Sequence, residues 1–327
     1  MKIAINGLGR IGRNILRAAI NKNVEIVAIN DIMDIKLAEY LLKFDTVRGS
    51  LDVERIGDNI LKIGDNFITY TTFSSPKDTR FDEADVVFEC SGKFLTSDDV
   101  KHHIKGNVKK VIISAPANDD TPTYVLGVNH KEYKGENIIS NASCTTNCLA
   151  PIAKIIDEKY GIEKGFMTTI HSYTMDQKLL DAPNYRDIRR SRAAAENIIP
   201  TFTGAAKAVY KVLPNLKGKL DGRSVRVPVA NVSLMDLVLE LSSEVSAEDI
   251  NELLEFHAKT DLKGILEIDY EYKVSSDINS NPASSVVAYD LTQANGNLVK
   301  IFSWYDNEWG YSNRMVEMAE YILNHTV

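Results

Sequence analysis

The feature that most restricts how this 327-residue chain can fold is a glycine triplet near its start, Gly7-Leu8-Gly9-Arg10-Ile11-Gly12. A short apolar strand, residues 2–6, runs straight into it, and residues 13–20 carry apolar side chains at helical spacing behind it. G-x-G-x-x-G alone is a weak signal. Strand before and helix after make it a dinucleotide fingerprint, because Gly7, Gly9 and Gly12 permit a tight turn and let a pyrophosphate approach the helix N-terminus. A second strand, residues 25–30, ends in Asp31, nineteen residues after Gly12. An acidic residue there can accept hydrogen bonds from ribose hydroxyls and repel a 2′-phosphate, which favours NAD over NADP. The competing reading of Asp31 is a helix cap for the run that begins near Ile35.

The rest of the N-terminal half continues the α/β pattern. Residues 51–72 alternate β-branched and polar residues, with Gly57-Asp58-Asn59 and Gly64-Asp65-Asn66 as turns, and predict a pair of antiparallel hairpin strands. Residues 86–90 and Lys110–Ile113 read as buried parallel strands whose carboxyl ends carry Ser91 and Ser114, where ligands of open sheets gather. After Cys148 the composition changes. Long strands at 165–174, 224–229, 232–240 and 298–304, with a helix at 247–258, predict a second domain with a largely antiparallel sheet. Residues 172–199 form a long arginine-rich stretch without periodicity, and 309–323 an amphipathic helix with Met315, Met318, Ala319 and Ile322 as its apolar stripe. The domains expected are 1–144, completed by a C-terminal helix at 309–327, and 145–308.

Composition removes several function classes. A formal charge of −7 argues against a nucleic-acid groove or an anionic membrane as main partner. No apolar run approaches the about 20 residues of a membrane-spanning helix, and the N-terminal apolar stretch stops at Asn6-Gly7, short of a signal-peptide core. Three cysteines cannot all pair, and their spacing fits no zinc pattern, so no metal is expected and a reducing, cytoplasmic setting is.

One of those cysteines stands apart. Cys144 lies in Ser140-Asn141-Ala142-Ser143-Cys144-Thr145-Thr146-Asn147-Cys148-Leu149-Ala150-Pro151, after an extended segment and before a helical run. At a helix N-terminus the dipole favours thiolate over thiol. A cysteine buried in a core is usually inert, but the hydroxyl-rich neighbours argue for a reactive one. The base would be His171 in Thr168-Thr169-Ile170-His171-Ser172-Tyr173-Thr174, its protonated form supporting the thiolate beforehand.

These two segments together resemble the active-site signature of phosphorylating glyceraldehyde-3-phosphate dehydrogenases, and the likeness extends from Ala4-Ile5-Asn6-Gly7 to Trp304-Tyr305-Asp306-Asn307-Glu308-Trp309-Gly310-Tyr311. The resemblance implies a glycolytic enzyme that oxidises glyceraldehyde 3-phosphate with NAD and inorganic phosphate through a thioester on Cys144, with His171 as proton acceptor. It implies cofactor contacts from Gly7, Gly9, Arg10, Ile11, Gly12, Asp31, Ser91 and Ser114, with Asn307 on the nicotinamide carboxamide and Tyr311 beside it. For the substrate phosphate it offers Thr174 and Arg226. For the attacking phosphate it offers Ser143, Thr145, Thr203 and Gly204, with Arg190 nearby. It makes the 172–199 stretch a subunit-interface loop of a homotetramer and returns the last helix to the first domain. The sequence departs from the usual family pattern at Val229-Ala230-Asn231, Ser74-Ser75-Pro76 and Ala182-Pro183. Erythrose-4-phosphate dehydrogenase is the nearest rival, and a non-catalytic interaction protein on the same fold is a rival of another class. The Thr203-Gly204-Ala205-Ala206-Lys207-Ala208 and Ser172-Tyr173-Thr174 segments favour the triose-phosphate enzyme.

Overall fold

The computed structural model describes residues 1–325, so Thr326 and Val327 of the expected C-terminal helix lie outside the described residues. Two compact units share the chain. The first comprises Met1–Tyr124, Lys131–Ser143 and the chain from Ser312 onward; the second comprises Val125–His130 and Cys144–Tyr311.

In the first unit the elements run β1 (Lys2–Asn6), α1 (Arg10–Asn21), β2 (Glu25–Asn30), α2 (Ile35–Lys43), β3 (Glu54–Ile56), β4 (Ile60–Ile63), β5 (Asn66–Thr71), β6 (Val86–Glu89), α3 (Ser97–Val100), β7 (Lys110–Ile113) and β8 (Ile138–Ser140). They build one eight-stranded sheet in the order β3-β4-β5-β2-β1-β6-β7-β8. The strands from β5 to β8 run parallel. Parallel strands covered on both faces read as continuous apolar runs, and Ile3, Ala4, Ile5, Val86, Val87 and Phe88 are all fully buried. The expected hairpin at 51–72 is a three-stranded antiparallel meander, β3 to β5, whose last strand joins β2 in parallel. The extra strand follows from the two glycine turns, each of which reverses the chain.

The register sets Asn6 opposite both Asn30 and Glu89 at the carboxyl ends of three adjacent strands. Buried polar groups need partners, and these find one another. Asn30 Nδ2 donates to Asn6 Oδ1 at 2.8 Å, and Asn6 Nδ2 to Glu89 Oε2 at 2.6 Å. His103 Nε2 lies 3.1 Å from that same oxygen, and its Nδ1 lies 3.1 Å from Thr79 Oγ1. The glycine loop rests on this row, with the Gly7 amide donating to Asn30 O at 2.7 Å. Gly7 has φ +96°, and a Cβ there would stand 2.4 Å from the Ser91 amide nitrogen.

In the second unit follow α4 (Cys144–Tyr160), β9 (Ile162–Ser172), β10 (Ile199–Phe202), α5 (Ala205–Ala208), β11 (Leu220–Val227), β12 (Ser233–Leu241), α6 (Ala247–Lys259), β13 (Leu266–Asp269), β14 (Ser285–Ala288), β15 (Gln293–Asn295) and β16 (Leu298–Tyr305), and α7 (Trp309–Asn324) starts there and continues from Ser312 as part of the first unit. The sheet order is β10-β11-β9-β12-β16-β14-β13, with β15 on β16. Most pairs are antiparallel as expected, but β11 runs parallel to β9 and β13 to β14. The sheet is therefore mixed, because the long 172–199 stretch carries the chain back before β11 begins. Along β9 the buried side chains alternate as Met167, Thr169 and His171, so period-two geometry assigns His171 to the inward face.

Substituting Gly7→Ala adds an overlap to a left-handed backbone, and should lower unfolding free energy by about 2–4 kcal/mol. Urea midpoints of the two proteins check this, and a difference under about 0.5 kcal/mol would contradict the steric reading.

Candidate active site

Cys144 is the first residue of α4, two residues after Ala142, whose φ of +56° turns the chain from strand into helix. The next residue, Thr145, is buried, and its Oγ1 lies 3.0 Å from the Tyr305 hydroxyl at the end of β16. The same hydroxyl is 2.7 Å from Thr169 Oγ1 on β9. One phenol thus joins the helix that carries Cys144 to the strand that carries His171. The result is Cys144 Sγ at 3.8 Å from His171 Nε2, with the His171 ring edge-on to Tyr305 at 6.0 Å. Cys148, one turn on, is fully buried with Sγ 3.4 Å from Ser285 Oγ.

Electrostatics revise one expectation. Burial pushes the Cys144 thiol up from its ordinary value, against the opposing pull of Arg226, the Thr145 hydroxyl and the amides at the helix start. Burial, and then the Arg226 cation, pull His171 down to about 3. Burial thus works against the imidazolium and the thiolate that the sequence suggested, while Arg226 favours the thiolate and opposes the imidazolium. Desolvation disfavours both charged partners, and Arg226 already occupies the cationic position. Its Nη1 lies 2.8 Å from His171 Nδ1 and 3.0 Å from Ser172 O, while Nδ1 itself is 2.7 Å from Ser172 O. The Arg226 Nε is buried with no partner.

The residues offered for phosphate binding fall into three groups. Arg226 stands beside His171. Arg190 is tied to Asp176, donates from Nε to Thr201 Oγ1 at 2.7 Å and from Nη2 to Phe202 O at 3.0 Å, and lies close enough to lower the His171 pKa. Thr174 is exposed, its amide and hydroxyl both donating to Gln177 Oε1 at 2.7 and 3.2 Å, with Gln177 Nε2 buried and unpartnered. Thr203 Oγ1 accepts from Ala205 N at 3.3 Å, and Gly204 precedes the single turn of α5. Ser143 immediately precedes Cys144, whereas the Thr145 hydroxyl is committed to Tyr305. Sequence reasoning passed over Tyr305, Gln177 and the serine pair at Asn307. Asn307 Oδ1 accepts from Ser172 Oγ and Ser233 Oγ, each at 2.9 Å, leaving its amide nitrogen facing the opposite way. Tyr311 is buried in the first turn of α7.

NAD fits the residues of the first unit. No side chain caps α1, and a Cβ at Gly9 would meet nothing within 4 Å, which leaves space for a phosphate at the helix N-terminus. Asp31 is not the helix cap, a role filled by Asp34, whose side chain accepts from Leu37 N at 2.9 Å. Instead Asp31 Oδ2 accepts from Leu8 N at 2.5 Å and Oδ1 from Met33 N at 2.9 Å. A carboxylate has about four lone-pair directions, so two remain for ribose hydroxyls. Arg10 pairs with the buried Asp45 at 2.5 Å, and Ile11 lies in the first turn of α1. Ser91 Oγ donates to Glu89 Oε1 at 2.5 Å, and Ser114 contacts the Cys90 thiol. Among the described residues no cluster of three or more metal-ligating side chains occurs, and no helix is long and apolar enough to cross a membrane.

Partial exposure and the Arg226 field act on Cys144, whereas burial pushes the Cys148 thiol up to about 12. Limiting iodoacetamide should therefore label Cys144 first. Because the Cys144 pKa is raised and His171 stays neutral, labelling should accelerate steadily as pH rises beyond neutrality, with no inflection between about pH 5 and 7. Peptide mapping after timed alkylation checks both points. Label on Cys148 that tracks inactivation, with Cys144 unmodified, would overturn the assignment.

Comparison with known proteins gives this geometry its family. Residues 1–97 match the family model for the glyceraldehyde 3-phosphate dehydrogenase NAD binding domain, and residues 143–307 the model for the C-terminal domain. Glyceraldehyde-3-phosphate dehydrogenase 1 of Bacillus cereus is 53% identical over 330 residues, covering 99% of this chain and 98% of that protein. The Geobacillus stearothermophilus enzyme is 50% identical over 331 residues, at 99% and 98% coverage. The chloroplastic A enzyme of Zea mays is 48% identical over 334 residues, at 99% and 83%. The chain belongs to the glyceraldehyde-3-phosphate dehydrogenase family and is an NAD-dependent dehydrogenase.

Proposed function

We propose that the chain oxidises glyceraldehyde 3-phosphate to 1,3-bisphosphoglycerate, with inorganic phosphate and NAD, through a thioester on Cys144. The observation that carries this reading is the placement of Cys144 Sγ at the start of α4, 3.8 Å from His171 Nε2. With Nδ1–H directed at Ser172 O, the Nε2 lone pair faces the thiol. As sulfur adds to the aldehyde carbon, the thiol proton passes to Nε2 and on to the new oxyanion, giving a hemithioacetal. His171 Nε2 then takes the hydroxyl proton while that carbon is oxidised to the thioester. NAD, when bound, supplies the two-electron acceptor. Phosphate attacks the thioester carbon, the Cys144–carbon bond breaks, and the leaving thiolate recovers the proton held on His171. Arg226 and Thr174 hold the substrate phosphate, and Arg190, Thr203, Gly204, Ser143 and the Thr145 amide surround the attacking ion, since guanidinium forks and amides suit tetrahedral oxyanions. The glycine loop and Asp31 hold the dinucleotide, and the free face of the Asn307 amide holds the nicotinamide carboxamide. Residues 1–144 with the helix from 309 onward form the cofactor domain, and 145–308 the substrate domain.

NADH absorbance decides the reading. Glyceraldehyde 3-phosphate with phosphate should be turned over in strong preference to erythrose 4-phosphate. Cys144→Ser should lose nearly all activity, His171→Asn should lose roughly 10²–10⁴-fold, and Cys148→Ser should keep most. Full activity in Cys144→Ser, or preference for the erythrose ester, would sink the proposal.

The assembly is a homotetramer in this reading, and the three free cysteines suit a reducing cytoplasm. The 172–199 stretch exposes Leu179 (89%), Tyr185 (96%) and Ile188 (84%), an apolar load that a solvated loop does not carry. Isologous pairing of such loops gives two-fold assemblies. Sedimentation at micromolar concentration should show a tetramer, and a monomer would remove the basis for it.

A further inference from the structure

We propose that Ser172 and Ser233 lock the side-chain amide of Asn307 in one orientation, nitrogen outward, and so make this position select a cofactor ring that carries a carbonyl oxygen. The inference deepens the reading of Asn307 as the ligand of the nicotinamide carboxamide and rests on it.

Three neighbouring strands of the second sheet, β9, β12 and β16, bring the residues together. Ser172 is the last residue of β9, Ser233 the first of β12, and Asn307 lies two residues beyond the end of β16. All three are buried, the two serines at 0% and 1% exposure. Ser172 Oγ and Ser233 Oγ each lie 2.9 Å from Asn307 Oδ1, and the Ser172 amide donates to Ser233 Oγ at 3.2 Å. An asparagine amide could face this pair either way, since a hydroxyl both donates and accepts. The hydroxyl hydrogens decide it. Among the described residues neither serine hydroxyl has another acceptor. With Oδ1 inward both hydrogens are used, and the Ser233 oxygen still accepts from the Ser172 amide. With Nδ2 inward its hydrogens would meet the two serine oxygens, and both hydroxyl hydrogens would be left buried without an acceptor.

The outer face of the amide is thereby given one polarity. Asn307 Nδ2 makes no hydrogen bond among the described residues, yet it is not sealed from solvent. A carboxamide free to turn presents oxygen or nitrogen as its ligand demands, but this one can only donate. A pyridine ring bearing a carbonyl satisfies it, whereas a ring that offers only N–H groups sets donor against donor. The backbone supports the placement of Ser233. Val232, the residue before it, has φ +72°, a conformation that a β-branched residue holds only where its surroundings enforce it. Here its side chain is buried against Ile278, Ala283 and Val286. Both serines act through Asn307 and are positioning residues.

Calorimetric titration of the intact protein, with neither aldehyde nor phosphate present, reads this polarity as a ratio of affinities for two cofactor analogues. 3-Acetylpyridine adenine dinucleotide keeps a carbonyl oxygen on the ring and has no N–H there. 3-Aminopyridine adenine dinucleotide has N–H groups and no carbonyl. Wild type should prefer the acetyl analogue by roughly tenfold or more. Ser172→Ala and Ser233→Ala, each with one hydroxyl left, should keep that preference. The double variant should lose it to within about threefold, because its amide can turn over. Ser172→Ala combined with Ser233→Thr, which regains a hydroxyl, should recover it. Adenosine diphosphate ribose, which lacks the ring, should bind all of these variants alike, whereas a general loss of structure would weaken it along with both analogues. Neutron diffraction from ligand-free wild-type crystals reads the lock without any substitution, and deuterium should lie on both serine oxygens, directed at Asn307 Oδ1. Deuterium on the Asn307 atom that faces the serines would overturn the inference. So would a double variant that binds adenosine diphosphate ribose normally and keeps the wild-type ratio. No preference in wild type, with the deuterium as expected, would instead remove the carboxamide reading of Asn307 and the ring selectivity with it.

Discussion

The hydroxyl of Tyr305 is the contact on which the catalytic geometry depends. It is buried, sits at the end of β16, and bridges Thr145 on α4 to Thr169 on β9. Those two threonines are neighbours of Cys144 and of the strand face that holds His171. The start of α4 and the far end of the strand that follows it could slide by an ångström at little cost if only apolar contact joined them. A phenol bonded to both removes that freedom, because a buried hydroxyl that loses a partner costs more than the slide would gain. Two residues beyond Tyr305 comes Asn307, held by Ser172 and Ser233. The positioning of sulfur, imidazole and carboxamide therefore descends from one short segment at the end of one strand.

The first unit solves a parallel problem with charge and amide groups. Its glycine loop must stay open for a phosphate, so no side chain can fill it. The loop is held instead from beneath: Asn30 O receives the Gly7 amide, Asp31 Oδ2 receives the Leu8 amide, and Asn6 links both strands to buried Glu89. The carboxylate proposed to hold the ribose thus also shapes the glycine turn, through the Leu8 amide. In the proposed reading cofactor discrimination and loop geometry share one residue, the short acidic side chain at the end of β2.

Much of this was legible in the chain because the relevant signals are local. Strand, glycine triplet and helix lie within twenty residues, and the hydroxyl-rich surroundings of Cys144 are contiguous. The inward direction of His171 follows from alternation along a single strand. The parallel pairing of β11 with β9 was not legible, since it depends on where a stretch without periodicity returns the chain. Nor was Tyr305, which reads in sequence as one more aromatic in an apolar strand. The hairpin at 51–72 gained a third strand because its turns were visible while the partner of the last strand, β2, was far away in sequence. Gln177 gave no signal at all: its role under Thr174 is created by a turn within the long stretch.

The distribution of charge in the catalytic pocket follows from desolvation. A preformed thiolate–imidazolium pair would place two ions in a region that has little water to solvate either, and their mutual attraction returns only part of that loss. The pocket needs a cation nonetheless, to attract anionic substrates and stabilise sulfur as it ionises. Arginine can fill that position where histidine cannot, because burial of this depth strips the proton from an imidazole while a guanidinium keeps its charge. Assigning the permanent charge to Arg226 leaves His171 neutral, and a neutral imidazole is the form that can exchange protons with sulfur and oxygen in turn. In the proposed reading the negative charge that balances the arginine comes with the substrate's own phosphate.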